Sequence, residues 1–174
     1  DWAYAELVPL LFHHGRRTEA EQLARKALSV NPRNALAHEH FGTLLSELSD
    51  LPAGEWHFRR SLELGGPRPA VLANLAINLM NQGRFEEADV LFADADLLAP
   101  GELLTLGHWS KLHEMRGNLV RAAELLDRAE AGRSPRDVDL LRAQLLSRSG
   151  RDAEALAIIQ AAPALNGDGQ LQRG

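Results

Sequence analysis

The residues able to do chemistry in this chain are mainly histidine, glutamate and asparagine. Seven histidines raise metal binding and acid–base catalysis first. A metal needs ligands that converge on one point. His38 and His40 stand two apart, His13 and His14 are adjacent, and His108 and His113 are five apart. On a helix, none of these pairs shares a face. No H-E-x-x-H motif occurs, and no strand precedes a glycine-rich phosphate loop. Spacing assembles no Ser–His–Asp set. The absence of cysteine removes thiol nucleophiles, disulfides and Cys-based zinc sites. The chain is therefore read as a non-enzyme with no cofactor and no metal. What does recur is a polar set: Glu6, His40, Asn74 and His108 follow one another at intervals of 34 residues, with Leu141 next in line. Amide and imidazole groups both donate and accept hydrogen bonds, so the set is a ladder of hydrogen-bonding groups.

The same interval governs the elements that would carry the ladder. Ala20, Gly54, Ala88 and Ala122 are each 34 apart, and Ala155 follows after 33. Ala27, Ser61, Ala95, Ala129 and Ala162 form a second series. Gly15, Ser49, Gly83, Gly117 and Gly150 form a third, at turns. Apolar residues between these marks advance by three or four, the helical spacing. Leu72, Leu75, Ala76 and Leu79 make one such face; Ala88, Leu91, Phe92 and Ala95 make the next. Each unit then reads as two helices joined by a tight turn, in units 1–34, 35–68, 69–102, 103–135 and 136–165. Small residues are expected where two helices cross closely, with Leu and Phe filling the space around them. Gly42, Ala76, Ser110 and Ala143 extend the pattern, with Val8 as the larger exception. Pro9 is expected to kink or delay the first helix. Trp109 aligns with Leu7, Phe41 and Leu75 and is expected in the core. Trp56 is either a contact anchor or a ring laid against a neighbouring helix. Glu86, Glu87, Asp89, Asp94 and Asp96 read as a solvated acidic face.

These marks resemble the tetratricopeptide repeat. Leu75, Ala76, Gly83, Ala88, Phe92, Ala95 and Pro100 carry the likeness best, and the other units share it over residues 1–165. The resemblance implies an all-α, right-handed solenoid of antiparallel helix pairs, a single domain over 1–165 with a tail or truncated unit at 166–174. It also implies that the first helix of each unit lines a concave groove. The partner-binding residues expected there are Glu6, His13, Glu39, His40, Thr43, Asn74, Asn81, His108, Lys111 and Gln144, with Glu47, Glu114 and Arg148 beside them. Asn74 is similar to the asparagines of glycosyltransferase repeat arrays that hold peptide backbones. The lysine and asparagine pattern of chaperone-tail binders is missing, since Ala5, Pro9, Glu39 and Thr43 occupy those places.

A net charge of −5 argues against a nucleic-acid footprint. The charge is uneven, −6 over residues 1–102 and +1 over 103–174. No apolar run is long enough for a membrane span. The expected function is a non-catalytic module that binds a peptide or helix of a partner protein, in the cytoplasm, with the periplasm left open. The alternative is a substrate-recruiting or spacing region of a larger bacterial enzyme, such as a sulfotransferase or glycosyltransferase. The excess of 17 arginines over 2 lysines fits a GC-rich bacterial genome. The first residue is Asp1, and the last helix is apolar on most sides, so the natural chain is expected to continue past Gly174. In its absence the tail or a second copy, giving a homo-oligomer, is expected to cover Leu156, Ile158 and Ile159.

Overall fold

The computed structural model describes residues 2–130, 135–148 and 150–161. Among these there are ten helices and no strand: α1 (Trp2–His13), α2 (Arg17–Val30), α3 (Ala35–Glu47), α4 (Leu51–Gly65), α5 (Pro69–Asn81), α6 (Phe85–Leu98), α7 (Leu103–Met115), α8 (Leu119–Glu130), α9 (Pro135–Arg148) and α10 (Asp152–Ala161). Each odd-numbered helix packs against the even-numbered helix that follows it.

One turn closes every hairpin, and its hydrogen bonds explain the third small-residue series. The helix ends with a residue in the left-handed region, where glycine has no Cβ to clash. In the third unit Gly83 N donates to Met80 O at 3.0 Å and Arg84 N to Leu79 O at 2.9 Å. The same pair of bonds recurs at Gly15–Arg16, Ser49–Asp50, Gly117–Asn118 and Gly150–Arg151. Ser49 is the one non-glycine among the described residues with a positive φ, 66°. A side chain in that conformation is strained by about 1–2 kcal/mol, part of which glycine's greater unfolded-state entropy offsets. Ser49→Gly is therefore expected to stabilise the protein by about 0.5–1 kcal/mol. A rise in urea midpoint at constant slope checks this, and an unchanged or lower midpoint contradicts it.

The small residues sit at the helix crossings. Ala20, Ala27, Ser61, Ala88, Ala95, Ala122 and Ala129 are fully buried, and Gly54, Ala76, Ser110, Ala143 and Ala155 are buried as well. Ala162 lies outside the described residues, as does the tail at 166–174. The expected disturbance at Pro9 takes a different form. α1 starts at Trp2 and runs without a break through Pro9 to His13. The ring removes a single donor, and burial of Ala5 and Val8 against the neighbouring helices holds the segment helical. The acidic helix α6 also departs from expectation. Glu86, Glu87 and Asp94 are exposed, but Asp96 is buried, paired with Arg128 and accepting from Gly101 N at 3.1 Å. Asp89 turns toward the next unit, where it accepts from the indole N–H of the buried Trp109.

Curvature follows from which helices touch. Among the described residues α1 meets α3, α3 meets α5, α5 meets α7 and α7 meets α9, whereas no two even-numbered helices meet. A row packed side by side on one face, with its partners splayed on the other, bends toward the packed row. The odd-numbered helices therefore form the inner wall. Among the described residues no helix contacts one more than two places along the chain, so the stack stays open there. No helix among the described residues is long and apolar enough to cross a membrane.

Candidate partner-binding groove

The inner wall carries two cavities. The first, of about 300 Å³, lies against α1, α3 and α5 and is lined by Val8, Pro9, Phe12, His13, Glu39, His40, Thr43, Leu44, Glu47 and Asn74. The second, of about 280 Å³, lies between α7 and α9 and is lined in part by Leu104, Gly107, His108, Lys111, Gln144 and Arg148. The structure thus brings His13, Glu39, His40, Thr43 and Asn74 together at one end, and His108, Lys111 and Gln144 at the other. Glu6 lines neither cavity but is close enough to act on the charge of His40. Asn81 is exposed and lines neither. The side chain of Leu141 lies outside the described residues.

Helical register explains why these side chains face inward. His40 shares a face of α3 with Thr43 and Leu44, three and four places on, while Gly42, two places on, turns to the other side against α4. His38, two residues before His40, faces the opposite way and is buried against α4.

The polar groups of the first cavity are only partly satisfied by the protein. Arg68 Nη1 lies 2.8 Å from Glu39 Oε2. The same guanidinium donates through Nη2 to Ser61 Oγ at 2.7 Å, and that hydroxyl donates to Ala35 O at 2.7 Å. Nε2 of His40 is buried with no hydrogen-bond partner. Burial lowers the pKa of His40, against the carboxylates of Glu39 and Glu6, which raise it. Burial and then Lys111 lower that of His108. Both imidazoles are held neutral at neutral pH, the state in which each offers one donor and one acceptor. In the second cavity Arg148 pairs with Glu114 at 3.2 Å.

One further cluster, unforeseen from spacing, lies on the outer side. His38 and His57 meet through their Nδ1 atoms at 2.8 Å, and His38 Nε2 lies 3.1 Å from Pro32 O. With Nε2 donating to the carbonyl, His38 Nδ1 accepts from His57 Nδ1–H, and both rings are neutral. Nineteen residues separate them, a distance that pairs positions only through the antiparallel register of α3 and α4. Trp56 is 58% exposed and sets its ring edge-on to both, with centroids 5.6 and 4.8 Å away. It is neither flat against a helix nor in the groove. Among the described residues no three metal-ligating side chains cluster.

The histidine pair predicts a pH response. Burial first, then His38 and Arg25, lowers His57 from 6.5 to about 4. Between those values the unfolded chain binds more protons than the folded one, so stability is complete above about pH 6.5 and falls as pH drops toward 4. Urea midpoints measured across that interval check it, and His57→Phe should flatten the slope.

Comparison with known proteins agrees with the fold. Residues 70–95 match the tetratricopeptide repeat model. The fold and this unit together define a helical-repeat protein, similar to tetratricopeptide-repeat arrays. PilF of Pseudomonas aeruginosa is similar in structure, with a TM-score of 0.77 at 21% identity over 94% of this chain and 77% of that one. So is a thermophilic tetratricopeptide protein of Thermus thermophilus, with a TM-score of 0.79 at 20% identity, covering 91% of this chain and 88% of that one. YrrB, described as having an unusual peptide-binding site, gives a TM-score of 0.64 at 16% identity over 90% and 81% of the two chains. In sequence, mouse (Mus musculus) interferon-induced protein with tetratricopeptide repeats 3 is 26% identical over 118 residues, 66% of this chain. The chain spans 29% of that relative's length.

Proposed function

We propose that this chain is a non-catalytic protein-interaction module whose inner wall binds a peptide segment or helix of a partner protein. The observation that carries the reading is the pair of cavities on the packed row of odd-numbered helices. They collect polar side chains from five different helices, with apolar walls from Val8, Phe12, Leu44, Leu104 and Leu145 around them. Such a surface recognises a chain by burying its apolar side chains while fixed donors and acceptors set its register. The likeness to YrrB, itself described by a peptide-binding site, supports the same reading.

Capture of partners from a lysate of the source cells tests it. The wild-type protein is compared with His40→Ala, Asn74→Ala and His108→Ala, each checked by circular dichroism for an unchanged fold. Loss of the same partner from folded variants is the expected result. Equal recovery by all three would remove the groove as the binding surface.

A further inference from the structure

The groove is electrically polarised along its length. At the α1–α3 end the lining or adjacent carboxylates are Glu6, Glu39 and Glu47. Glu39 is matched by Arg68 at 2.8 Å, while neither Glu6 nor Glu47 has an ion-pair partner among the described residues. At the α7–α9 end Glu114 and Arg148 match each other, and Lys111 has no such partner. The middle is neutral, with Asn74 and Ile77 on α5. Among the lining side chains Glu47 at one end and Lys111 at the other are therefore the charges left over, opposite in sign, while Glu6 and Glu102 act on His40 and His108 from outside the two cavities. In the first cavity, on the same helix as Glu47, the buried and unpartnered Nε2 of His40 leaves a hydrogen-bonding group for an incoming main chain.

We propose that the groove takes a bipolar extended segment of another protein, with a lysine or arginine docked at Glu47 and a carboxylate docked at Lys111. This deepens the interaction reading above and rests on it. The spacing follows from the architecture. Packed helices lie about 8–10 Å apart, so α3 and α7, two steps along the row, are separated by about 16–20 Å. An extended chain rises about 3.3 Å per residue and crosses that gap in about five or six residues. Complementary potentials at the two ends reject a segment of one sign, because its second charge meets a like charge.

Short fluorescent peptides test this by anisotropy. One neutral Ser/Leu frame carries, about six residues apart, lysine then glutamate, glutamate then lysine, two lysines, or two glutamates. One of the two mixed orders is expected to bind the wild-type chain about tenfold more tightly than either like-charged peptide, with the advantage shrinking in high salt. Glu47→Lys should weaken that peptide and favour the two-glutamate one. Lys111→Glu should shift preference toward the two-lysine peptide. Both sites are surface positions, so the variants are expected to fold, which circular dichroism verifies. Equal affinities for all four peptides, binding by none, or preferences that ignore the two charge reversals would overturn the proposal. Should His40→Ala and Asn74→Ala weaken all four peptides alike while charge order has no effect, the groove reading stands and the bipolar one falls.

Discussion

Truncation of Phe58 to alanine is expected to destabilise the protein by about 3–5 kcal/mol, the range for removing a fully buried phenylalanine from a packed core. Phe58 on α4 is 1% exposed. Its ring edge lies over Gly42, where a Cβ would come within 2.9 Å of Cδ1. The same ring joins the large core that runs through Val71, Leu75, Leu79, Phe92 and Leu106 to Leu126. Val8, Ala20, Phe41, Leu44 and Leu45 form a separate core in the first two units. Phe58 is thus where the second unit hitches onto the third. In a stack whose units contact only their neighbours, such a loss is local. Amide exchange should accelerate more in α1–α4 than in α7 and α8. Phe92→Ala, a truncation of equal size in the third unit, should instead weaken the middle of the stack. Urea unfolding gives the total and hydrogen exchange the distribution. A loss below about 1 kcal/mol, or uniform acceleration, would contradict the hinge role of Phe58.

The helices and their turns were legible because close crossings and left-handed turns leave few residue choices. Ala88 and Ala122 sit in crossings that exclude larger side chains, and Gly83 and Gly117 sit at positive φ. Both constraints are local to one hairpin, so they repeat with it. The groove was legible more coarsely: the inward face follows from register, and His40, Asn74 and His108 fall on it. Where side chains meet between units was not legible. His38 finds His57 through the pairing of two helices, and Asp89 reaches Trp109 across a unit boundary. These contacts depend on crossing angles, and no single helix periodicity encodes them. Pro9 shows the same limit from the other side, since a propensity against helix gave way to packing of Ala5 and Val8.

The sharpest case is Gly54, where the residue common to the other units is expected to be harmful. Gly54→Ala places alanine where Ala20, Ala88, Ala122 and Ala155 already stand. Helix propensity alone favours the change by about 1 kcal/mol. Yet an added Cβ would collide with Ser46 Oγ, lie 2.9 Å from Asn78 Nδ2 and stand 3.0 Å from Gly42 O. Asn78 is the cause. It occupies a place held by Leu10, Leu44 and Leu112 in other units, and it is 1% exposed. Its amide donates to Ser46 Oγ at 2.7 Å and to Leu51 O at 3.1 Å, and its oxygen accepts from Gln82 at 2.7 Å. Gln82 in turn reaches Glu55 at 3.0 Å, which Arg84 holds at 2.6 Å. Glycine at position 54 leaves room for this buried chain of bonds. A methyl group there must displace the Ser46–Asn78 bond or push α4 away from α3, and groups left buried without partners cost about 1–3 kcal/mol each. Overpacking adds a term of similar size, so a net loss of about 1–3 kcal/mol is expected despite the propensity gain. Ser46→Ala in the same chain removes the nearest obstacle, so the two changes together should cost less than the sum of each alone. A neutral or stabilising Gly54→Ala, measured by urea unfolding, would mean that the network yields freely. The polar core between the second and third units would then not be what distinguishes this crossing from the others.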